Sequence, residues 1–368
     1  MSRFLGVLFF LFALCKVSAK DKPCQQLMIW DLEYLQSWKK DTRPDTWKQT
    51  IIKEAELAVK GKAESVVDKE SSLFVSDKHY YVSTAPYWWP DTLKDGTIKY
   101  IRKDGVRNPN RLGQDHERWS RLNQALKNLS RAYFFTGDAK FRDAYMSRLR
   151  RWFVTKSTRM YPNFDFSSIV PGQGGNKGRQ YGIVELYAMN DILDSYRLMC
   201  QLNGVDKKTT SAFEKWCRNL ITWLRQSENG KAESLATGNI STIYDLTLFN
   251  LAVFCGEKVI CDSITSAFAT SRLERQIMAD GTQPVELART QAYHYSIYNL
   301  THIVDFCVMQ ERLGRHYYAE HRNIIDRAFN YLLQFVGNRK AFPYQEIGDW
   351  DACEKLLKKQ QARLKTLK

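Results

Sequence analysis

The densest group of side chains that could transfer protons lies in the stretch "ELARTQAYHYSIYNL", which runs from Glu286 to Leu300. It contains a cation, Arg289, and farther along a histidine and a tyrosine side by side, His294 and Tyr295. A tyrosine hydroxyl can accept or donate a proton, and a nearby positive charge lowers its pKa because it favours the phenolate. The stretch is therefore a candidate for general acid–base chemistry next to a cation.

The spacing of these residues leaves their geometry open. On one ideal helix, Arg289 and Tyr295 would point about 240° apart, so they would not share a face. Either the helix begins after Arg289, or a ligand reaches across a helix end. Tyr295, Asn299 and His302 do share a face. A structural explanation also exists, because tyrosines on helices are often half-buried core residues with a solvated hydroxyl.

Helical periodicity dominates the rest of the chain. In "DHERWSRLNQALKNLSRAYFFTGD" the apolar residues recur every three or four positions until Gly137, a normal helix end. The same pattern returns in segments such as "SAFEKWCRNLITWLRQS", "STIYDLTLFNLAVFCG" and "RNIIDRAFNYLLQFV". Strand patterns are few, the best being "HYYVST" and "AFPYQEI". Without a sharp internal repeat, these patterns predict an all-α fold, a single curved or closed array of antiparallel helix pairs with a ligand groove near the helix ends.

Two long segments lack helical periodicity, residues 80–113 and 155–181. Long structured loops in a compact domain are often functional. The first contains Tyr87, Trp88 and Trp89 in a row. These flat side chains could stack on the faces of sugar rings, or they could seal the end of the core.

The N-terminus predicts export. Arg3 precedes the apolar run "FLGVLFFLFAL", and "VSA" before Lys20 fits a cleavage site, so we interpret residues 1–19 as a signal peptide and 20–368 as a single domain. The apolar run is short for a membrane span. Export permits disulfides, but a domain of this size does not need them, and we expect mostly reduced, buried cysteines.

The net charge of +15 suggests an anionic partner. Nucleic acid, acidic lipid and acidic polysaccharide all qualify by charge alone. No run of lysines and arginines resembles a nucleic-acid-binding arm, and "RKDGVRNPNR" has the composition of a solvated turn. The histidines are scattered without an HxxxH or HExxH motif, so the sequence predicts no metal site.

Several segments, in order, resemble the alginate lyase domain family of polysaccharide lyases. They are "APYWWPD", "LSRAYFFTGDAKFRDA", "RRWFVTKSTRMYPNFDFSSIVPG", "GRQYGIVEL", "GNISTIYDLTLFNLAVFCG" and "QPVELARTQAYHYSIYNL". The resemblance extends from about residue 80 to about residue 350. It implies an incomplete α/α toroid with a deep groove that cuts uronic-acid polysaccharides by β-elimination, without a metal or other cofactor. Alginate is the substrate typical of the family, and glucuronan is the next candidate.

The resemblance also implies site residues. Elimination removes the C5 proton of a uronate and expels the C4 oxygen, and donors must stabilise the negative charge that develops on the carboxylate. Arg289 and Asn239 match the positions of those donors, and Tyr295 matches the family's catalytic tyrosine, which acts as base and acid. We expect the substrate-binding residues to be Tyr87, Trp88, Trp89, Gln173, Lys177, Arg179, Tyr244 and His294.

One position departs from the family pattern. Where the family commonly has Asn-His, this chain has Asn239 followed by Ile240. Isoleucine can neither accept a proton nor donate to a carboxylate. His294 and His116 are the two candidates to replace the missing group, although His294 and its neighbour Tyr295 point about 100° apart on a helix.

Three functions are therefore open. The first is a polysaccharide lyase on a uronic-acid polymer. The second is a non-catalytic binder of acidic glycans, which the loss at Ile240 favours. The third is a glycoside hydrolase of the same architecture, which would need two opposed carboxylates among candidates such as Asp165, Glu185, Asp191 and Glu286.

Overall fold

The computed structural model describes residues 26–44, 46–70, 74–112 and 115–367. The predicted signal peptide at 1–19 lies outside these residues. The α-helices are α1 (Leu32–Lys39), α2 (Trp47–Lys60), α3 (Asp115–Thr136), α4 (Ala139–Phe153), α5 (Ala188–Gln201), α6 (Lys207–Gln226), α7 (Glu228–Leu235), α8 (Asn239–Cys255), α9 (Lys258–Phe268), α10 (Glu274–Gln276), α11 (Pro284–Leu287), α12 (Ala292–Arg312), α13 (Tyr317–Leu333) and α14 (Trp350–Leu364). The strands are β1 (Val82–Thr84), β2 (Trp88–Thr92), β3 (Ile98–Arg102) and β4 (Phe166–Ile169).

Consecutive helices pack on one another, as the helical periodicity predicts. α3 packs against α2, α4 and α5, and α12 packs against α13 and α14. The prediction of a mostly helical chain with few short strands is confirmed.

Helices α8 and α12 lie at the centre and pack against each other. Almost every side chain of α8 is buried, which agrees with its apolar sequence on all sides. One group of buried polar side chains links the two helices. The amide of Asn299 donates to Gln276 and to Gln283 at 2.8 Å each, and it accepts from Thr242 at 2.8 Å. This amide network joins α8 and α12 to the segment between them, because unpaired buried amides would be costly.

The helix ends follow the residue types at the termini. α3 ends at Thr136, as predicted, and Gly137 follows with φ of +73°, a conformation that favours glycine. α6 begins after Asp206, whose side chain accepts from the backbone N–H of Thr209 at 2.9 Å. α8 ends at Cys255, and Gly256 follows it in the left-handed conformation.

The strands correct the sequence analysis in two places. Residues 80–113 are not irregular throughout, because β2 and β3 form an antiparallel hairpin in which Trp88 pairs with Arg102. The strand predicted for "HYYVST" is present as β1, and it pairs in parallel with β4. "AFPYQEI" forms no strand. It contributes one isolated bridge between Glu346 and Gln291, since its other residues pair with no neighbouring strand.

Six cysteines are free thiols, Cys200, Cys217, Cys255, Cys261, Cys307 and Cys353, and all but the first are buried. Cys24 lies outside the described residues. Among the residues with described coordinates, no helix is long and apolar enough to cross a membrane. The same part of the chain contains no cluster of three or more histidine, cysteine or acidic side chains that could hold a metal ion.

Candidate active site

Arg289 lies in the short connection between α11 and α12, outside both helices. α12 begins at Ala292, whose backbone N–H donates to the carbonyl oxygen of Gln345 at 3.0 Å. The helix therefore begins after Arg289, the first of the two arrangements that the sequence allowed. As a result, the guanidinium carbon of Arg289 lies 3.9 Å from the centre of the Tyr295 ring.

The tyrosines at the start of α12 have different surroundings. Tyr293 is fully buried and stacks on Trp350, with ring centres 4.0 Å apart, so it is a core residue. Tyr298 is half-buried. Tyr295 differs from both because its hydroxyl oxygen lies 2.5 Å from the hydroxyl oxygen of Tyr87. The structure therefore brings together Arg289, Tyr295 and Tyr87.

Arg289 lowers the pKa of Tyr295, as expected of a nearby cation, but other effects outweigh it. Burial raises the pKa of Tyr295 well above its usual value, and the contact with Tyr87 raises it further. Arg289 acts in the opposite direction, but its charge is already paired with Asp104. Tyr295 therefore retains its proton at neutral pH in this state of the protein.

Asp104 is the partner of Arg289, and the sequence analysis did not identify it. The Nε of Arg289 donates to both oxygens of the Asp104 carboxylate at 3.1 and 3.0 Å, and its Nη2 donates to one of them at 2.8 Å. The backbone N–H of Thr290 donates to the same carboxylate at 3.1 Å. Although burial opposes ionisation, the hydrogen bonds from Arg289 and Thr290 keep the pKa of Asp104 below its usual range.

The segment around Asp104 was interpreted as a solvated turn, but Asp104 contacts Arg289 and Thr290. After the β2–β3 hairpin, this is the second correction within residues 80–113. Gly105 explains how the turn docks, since it has φ of +73° and a Cβ there would lie 2.5 Å from the hydroxyl oxygen of Thr290. Glycine allows both the left-handed conformation and the close approach. "DG" in the sequence was the available signal, but it does not indicate what the turn contacts.

Asn239 is the first residue of α8 and is buried. Its backbone N–H and its side-chain Nδ2 donate to the two carboxylate oxygens of Glu286, at 2.7 and 2.6 Å. Burial raises the pKa of Glu286 to about 7, against the hydrogen bonds from Asn239 and the charge of Arg289. The carbonyl oxygen of Glu286 in turn accepts from the backbone N–H of Arg289 at 3.1 Å. Glu286 thus connects the two predicted carboxylate-binding residues.

Ile240 is half-buried and packs against the core, which is consistent with its apolar side chain. The two histidines considered as its replacement, His116 and His294, have partners other than the hydroxyl of Tyr295. His116 pairs with Glu185 at 3.4 Å. His294 lies with its ring centre 5.3 Å from that of Tyr295, but its Nδ1 faces the thiol of Cys353 at 3.8 Å. Burial lowers the pKa of His294, so it is neutral at physiological pH.

A residue that the sequence analysis missed anchors the start of α12. The carboxylate of Glu346 accepts from the backbone N–H of His294 at 2.9 Å, in the first turn of the helix. A carboxylate at this position satisfies a helix N–H that has no partner within the helix. The bridge between Glu346 and Gln291 lies directly beside this contact. Together these contacts fix the helix start that brings Tyr295 under Arg289.

The aromatic pair lies on the hairpin. Trp88 and Trp89 are both half-buried on β2. The guanidinium of Arg179 lies 5.6 Å from the centre of the Trp88 ring. The amine of Lys103 lies 4.8 Å from the centre of the Trp89 ring, and the Trp89 indole N–H donates to the carbonyl oxygen of Val106 at 3.0 Å.

Three other predicted binding residues lie on one segment after β4. Gln173 and Lys177 are exposed. Arg179 is half-buried, and its Nε donates to the carbonyl oxygen of Ser168 at 2.8 Å. Only Arg179 of the three contacts the aromatic hairpin, through Trp88.

The assignment of Tyr244 to substrate binding is a further correction. Tyr244 is buried in the hydrophobic core of α8, and its hydroxyl donates to the carbonyl oxygen of Leu224 at 3.1 Å. It reaches the core because it lies five residues beyond Asn239, on a helix that is buried on nearly every side.

The helix array brings Arg289, Tyr295 and Asn239 into one connected group, as the resemblance to the α/α-toroid polysaccharide lyases implies. The alginate lyase family model matches residues 66–342. The chain therefore belongs to the alginate lyase family.

Solved structures agree with this assignment. An alginate lyase from Bacteroides ovatus is 30% identical, with a TM-score of 0.84 and coverage of 91% of this chain and 90% of that one. Alginate lyase A1-III from Sphingomonas species A1 shares the fold at 14% identity, in a histidine-to-alanine variant complexed with a tetrasaccharide, with a TM-score of 0.57 and coverage of 90% and 82%. The α/α toroid predicted from the sequence is thereby confirmed. Among curated protein sequences, none matches the chain.

Proposed function

We propose that this protein cleaves a uronic-acid polymer of the mannuronate or glucuronate type by β-elimination. Tyr295 acts as base and acid, and Arg289 and Asn239 bind the substrate carboxylate. The observation that carries the proposal is the 3.9 Å contact between the Arg289 guanidinium and the ring of Tyr295. In this proposal the contact holds the carboxylate-binding cation close to the tyrosine that transfers the proton, and Glu286 connects both to Asn239.

The carboxylate of the substrate explains the need for both donors. The C5 proton is poorly acidic while the neighbouring carboxylate is charged, because removing it adds negative charge to the same group. Arg289 provides a positive charge, and Asn239 provides a neutral N–H that needs no titration. Each such donor is worth about 10²–10³ in rate when it is aimed at the charge that develops.

Tyr295 moves one proton in each direction. Its phenolate takes the C5 proton, the electrons of that C–H bond form the C4–C5 double bond, and the bond between C4 and the glycosidic oxygen breaks. The departing oxygen then takes the proton from Tyr295. The products are an unsaturated uronate end and a new reducing end, and Tyr295 returns to its starting form.

The free protein holds Tyr295 in its protonated state, so the phenolate must form first. Burial raises the pKa of Tyr295 most, and the Tyr87 hydroxyl, 2.5 Å from the hydroxyl oxygen of Tyr295, raises it further. A substrate that displaces Tyr87 from this contact removes that effect. The pKa of Tyr295 then falls by the contribution of Tyr87, and the charge of Arg289 favours the phenolate against the burial that remains.

The stereochemistry of the sugar favours the mannuronate or glucuronate type. In both sugars the C5 proton and the C4 oxygen lie on the same side of the ring, so one residue can serve as base and acid. In guluronate they lie on opposite faces, and a second proton acceptor is needed. Ile240 cannot provide it.

The overall charge and the aromatic hairpin agree with an acidic polysaccharide as partner. The chain has a net charge of +15, and Arg179 and Lys103 lie against the tryptophans of β2. Cations beside flat rings suit a polymer that alternates carboxylates and sugar faces. Export, as the N-terminal sequence predicts, would bring the protein to such polymers outside the cytoplasm.

A non-catalytic acidic-glycan-binding protein is the second candidate, and two observations favour it. Ile240 stands where the family commonly has histidine, and burial keeps Tyr295 protonated. Hydrolysis is less well supported. The four carboxylates considered for it accept hydrogen bonds from four different partners, Asp165 from Trp223, Glu185 from Ser83, Asp191 from Trp30 and Glu286 from Asn239.

One assay separates the three functions. The protein is incubated with polymannuronate, polyguluronate and glucuronan, and the absorbance of unsaturated ends and the release of reducing sugar are both followed. A lyase produces both signals, and a hydrolase produces reducing sugar alone. Binding without either signal would replace the proposal by the glycan-binding function.

A further inference from the structure

Glu286 has a buried carboxylate, and both of its oxygens accept hydrogen bonds from the same residue, Asn239. Oε1 accepts from the backbone N–H of Asn239 at 2.7 Å, and Oε2 accepts from its Nδ2 at 2.6 Å. Only 1% of the Glu286 surface is exposed, so the group does not meet the substrate directly. The hydrogen bonds of the Glu286 side chain therefore reach the site through Asn239.

The start of α8 depends on this carboxylate. Gly238, which precedes the helix, has no side chain to cap it and has φ of +108°. A Cβ on Gly238 would lie 3.0 Å from Oε1 of Glu286, so the carboxylate packs directly against this backbone. Glu286 therefore caps α8 from another element, and the positive end of the helix favours its charge.

The chemistry of the two groups fixes the orientation of the amide. Asn239 presents an oxygen acceptor at one side of its amide and an NH₂ donor at the other, and the two are nearly equal in shape. An ionised carboxylate only accepts, so it selects the NH₂ side. One N–H of Nδ2 is used in this bond, and the second N–H remains available.

We propose that Glu286 is a positioning residue that holds the Asn239 amide in the one orientation in which its second N–H can donate to the uronate carboxylate. The inference rests on the proposed function, because it assigns Asn239 to that carboxylate. The same short segment also places Arg289, whose backbone N–H donates to the Glu286 carbonyl oxygen at 3.1 Å. That bond uses the backbone of Glu286, so a substitution of the side chain leaves it in place and tests the contact with Asn239 alone.

The substitution Glu286→Gln tests this with little change in volume. Glutamine offers one acceptor and one donor. If its oxygen keeps the bond from the Asn239 backbone N–H, its NH₂ group faces Nδ2 of Asn239, and two donors cannot bond to each other. The Asn239 amide is then favoured in the inverted orientation. On the alkaline side of the Glu286 pKa, we expect kcat to fall about 10²-fold, as for the loss of one donor to a developing charge, with a smaller change in KM. In an Asn239→Ala background the same substitution should cause no further loss.

A second measurement does not depend on turnover. In protein labelled with ¹⁵N-asparagine, Asn239→Ala identifies the side-chain amide signal of Asn239. Glu286→Gln should shift that signal, while Glu233→Gln should not. Glu233 is a matched control because it is also buried, its pKa is also raised by burial to about 7, and it accepts no hydrogen bond from Asn239.

The outcomes separate the two proposals. If the wild type is active, two results overturn the positioning role. One is a kcat of Glu286→Gln equal to that of the wild type, and the other is a loss in the double variant Glu286→Gln/Asn239→Ala that equals the sum of the two single losses. A wild type without lyase activity on any polymer overturns the proposed function, and the Asn239 amide signal then tests the positioning role by itself. A shift of that signal in Glu286→Gln but not in Glu233→Gln supports the positioning role, and the absence of a shift in Glu286→Gln overturns it. If Glu286→Gln fails to fold, as judged by circular dichroism, Glu286→Asp replaces it. The shorter acceptor should also reduce kcat through Asn239, and an unchanged kcat would contradict the inference.

Discussion

Asp104 pairs with Arg289 through three side-chain hydrogen bonds between residues 185 positions apart in the sequence. The pair uses the Nε and Nη2 side of the guanidinium, and the other side is free of Asp104. A planar guanidinium held along one edge has a fixed direction, which a lysine could not provide. Asp104 therefore sets how Arg289 lies over the ring of Tyr295.

We expect Asp104→Asn to reduce kcat about 10- to 100-fold, because a displaced binding group loses rate steeply with distance. The loss of charge-assisted hydrogen bonds should also lower the free energy of unfolding, by about 1–2 kcal/mol for this half-buried pair. Steady-state kinetics and a denaturant titration measure the two effects. A variant with lower KM and unchanged kcat would mean that Asp104 competes with the substrate instead of orienting Arg289.

Arg102→Ala is the matched control for that variant. Arg102 also pairs with Asp104, at 2.7 Å, but 53% of its side chain is exposed. Exposed pairs contribute about 0–1 kcal/mol. We expect kinetics and stability close to those of the wild type.

Tyr295→Phe should abolish turnover while leaving the fold and glycan binding intact. Phenylalanine preserves the ring beneath Arg289 and removes only the hydroxyl that transfers the proton. General acid–base groups contribute about 10²–10⁴ in rate, so kcat should fall at least that far. Product analysis measures turnover, and calorimetry with an oligosaccharide measures binding. A fully active variant would rule out the assignment of Tyr295 as the base.

The rate should depend on pH through Tyr295. The pKa of Tyr295 lies above the usual tyrosine value of about 10. At any pH below that pKa, the phenolate fraction therefore increases about tenfold for each unit by which the pH is raised. We expect kcat/KM to rise through neutral and mildly alkaline pH without a plateau below about pH 9. Tyr87→Phe should move the profile toward lower pH, since the Tyr87 hydroxyl raises the pKa of Tyr295. A plateau near neutrality in the wild type would indicate a different base.

Trp88→Ala should raise KM about two- to tenfold if its ring stacks on a sugar, since aromatic stacking is worth about 0.5–1.5 kcal/mol. The ring is half-buried and lies beside Arg179, so its removal should change the melting temperature little. Kinetics on oligosaccharides of increasing length and a thermal melt give both quantities. A large loss of thermal stability with unchanged kinetics would show that Trp88 only packs against the core.

Guluronate blocks should resist cleavage by the wild type, because Ile240 leaves Tyr295 without a second proton acceptor across the sugar. Ile240→His should restore some activity on them if the new imidazole reaches the groove. Product analysis on pure mannuronate, guluronate and glucuronan polymers tests both statements. Efficient cleavage of polyguluronate by the unmodified protein would contradict the single-tyrosine mechanism.

Local patterns in the sequence were sufficient for the helices. The periodic spacing of apolar residues and the glycine at Gly137 predicted α3 and its end, because both depend on residues close in sequence. The position of Arg289 outside a helix was one of two stated alternatives. Choosing between them required Gln345 and Glu346, which bind the start of α12 from a distant segment.

The errors arose where distant residues decide the environment. Tyr244 was assigned to the groove from its place in a motif, but the direction of a side chain on a helix buried on all sides cannot be obtained from its neighbours. The pKa of Tyr295 was expected to fall beside Arg289. The sequence could not show that Asp104 pairs with that cation, or that burial would outweigh it.

The two contacts that complete the site join residues far apart along the chain. Asp104 and Arg289 are 185 positions apart, and Tyr87 and Tyr295 are 208 apart. Closing such loops has a large entropic cost, whereas α3 and α4 form from contacts between neighbours. The site therefore depends on long-range contacts, and a partly folded chain that has its helices but lacks these contacts would not hold Arg289, Tyr87 and Tyr295 together.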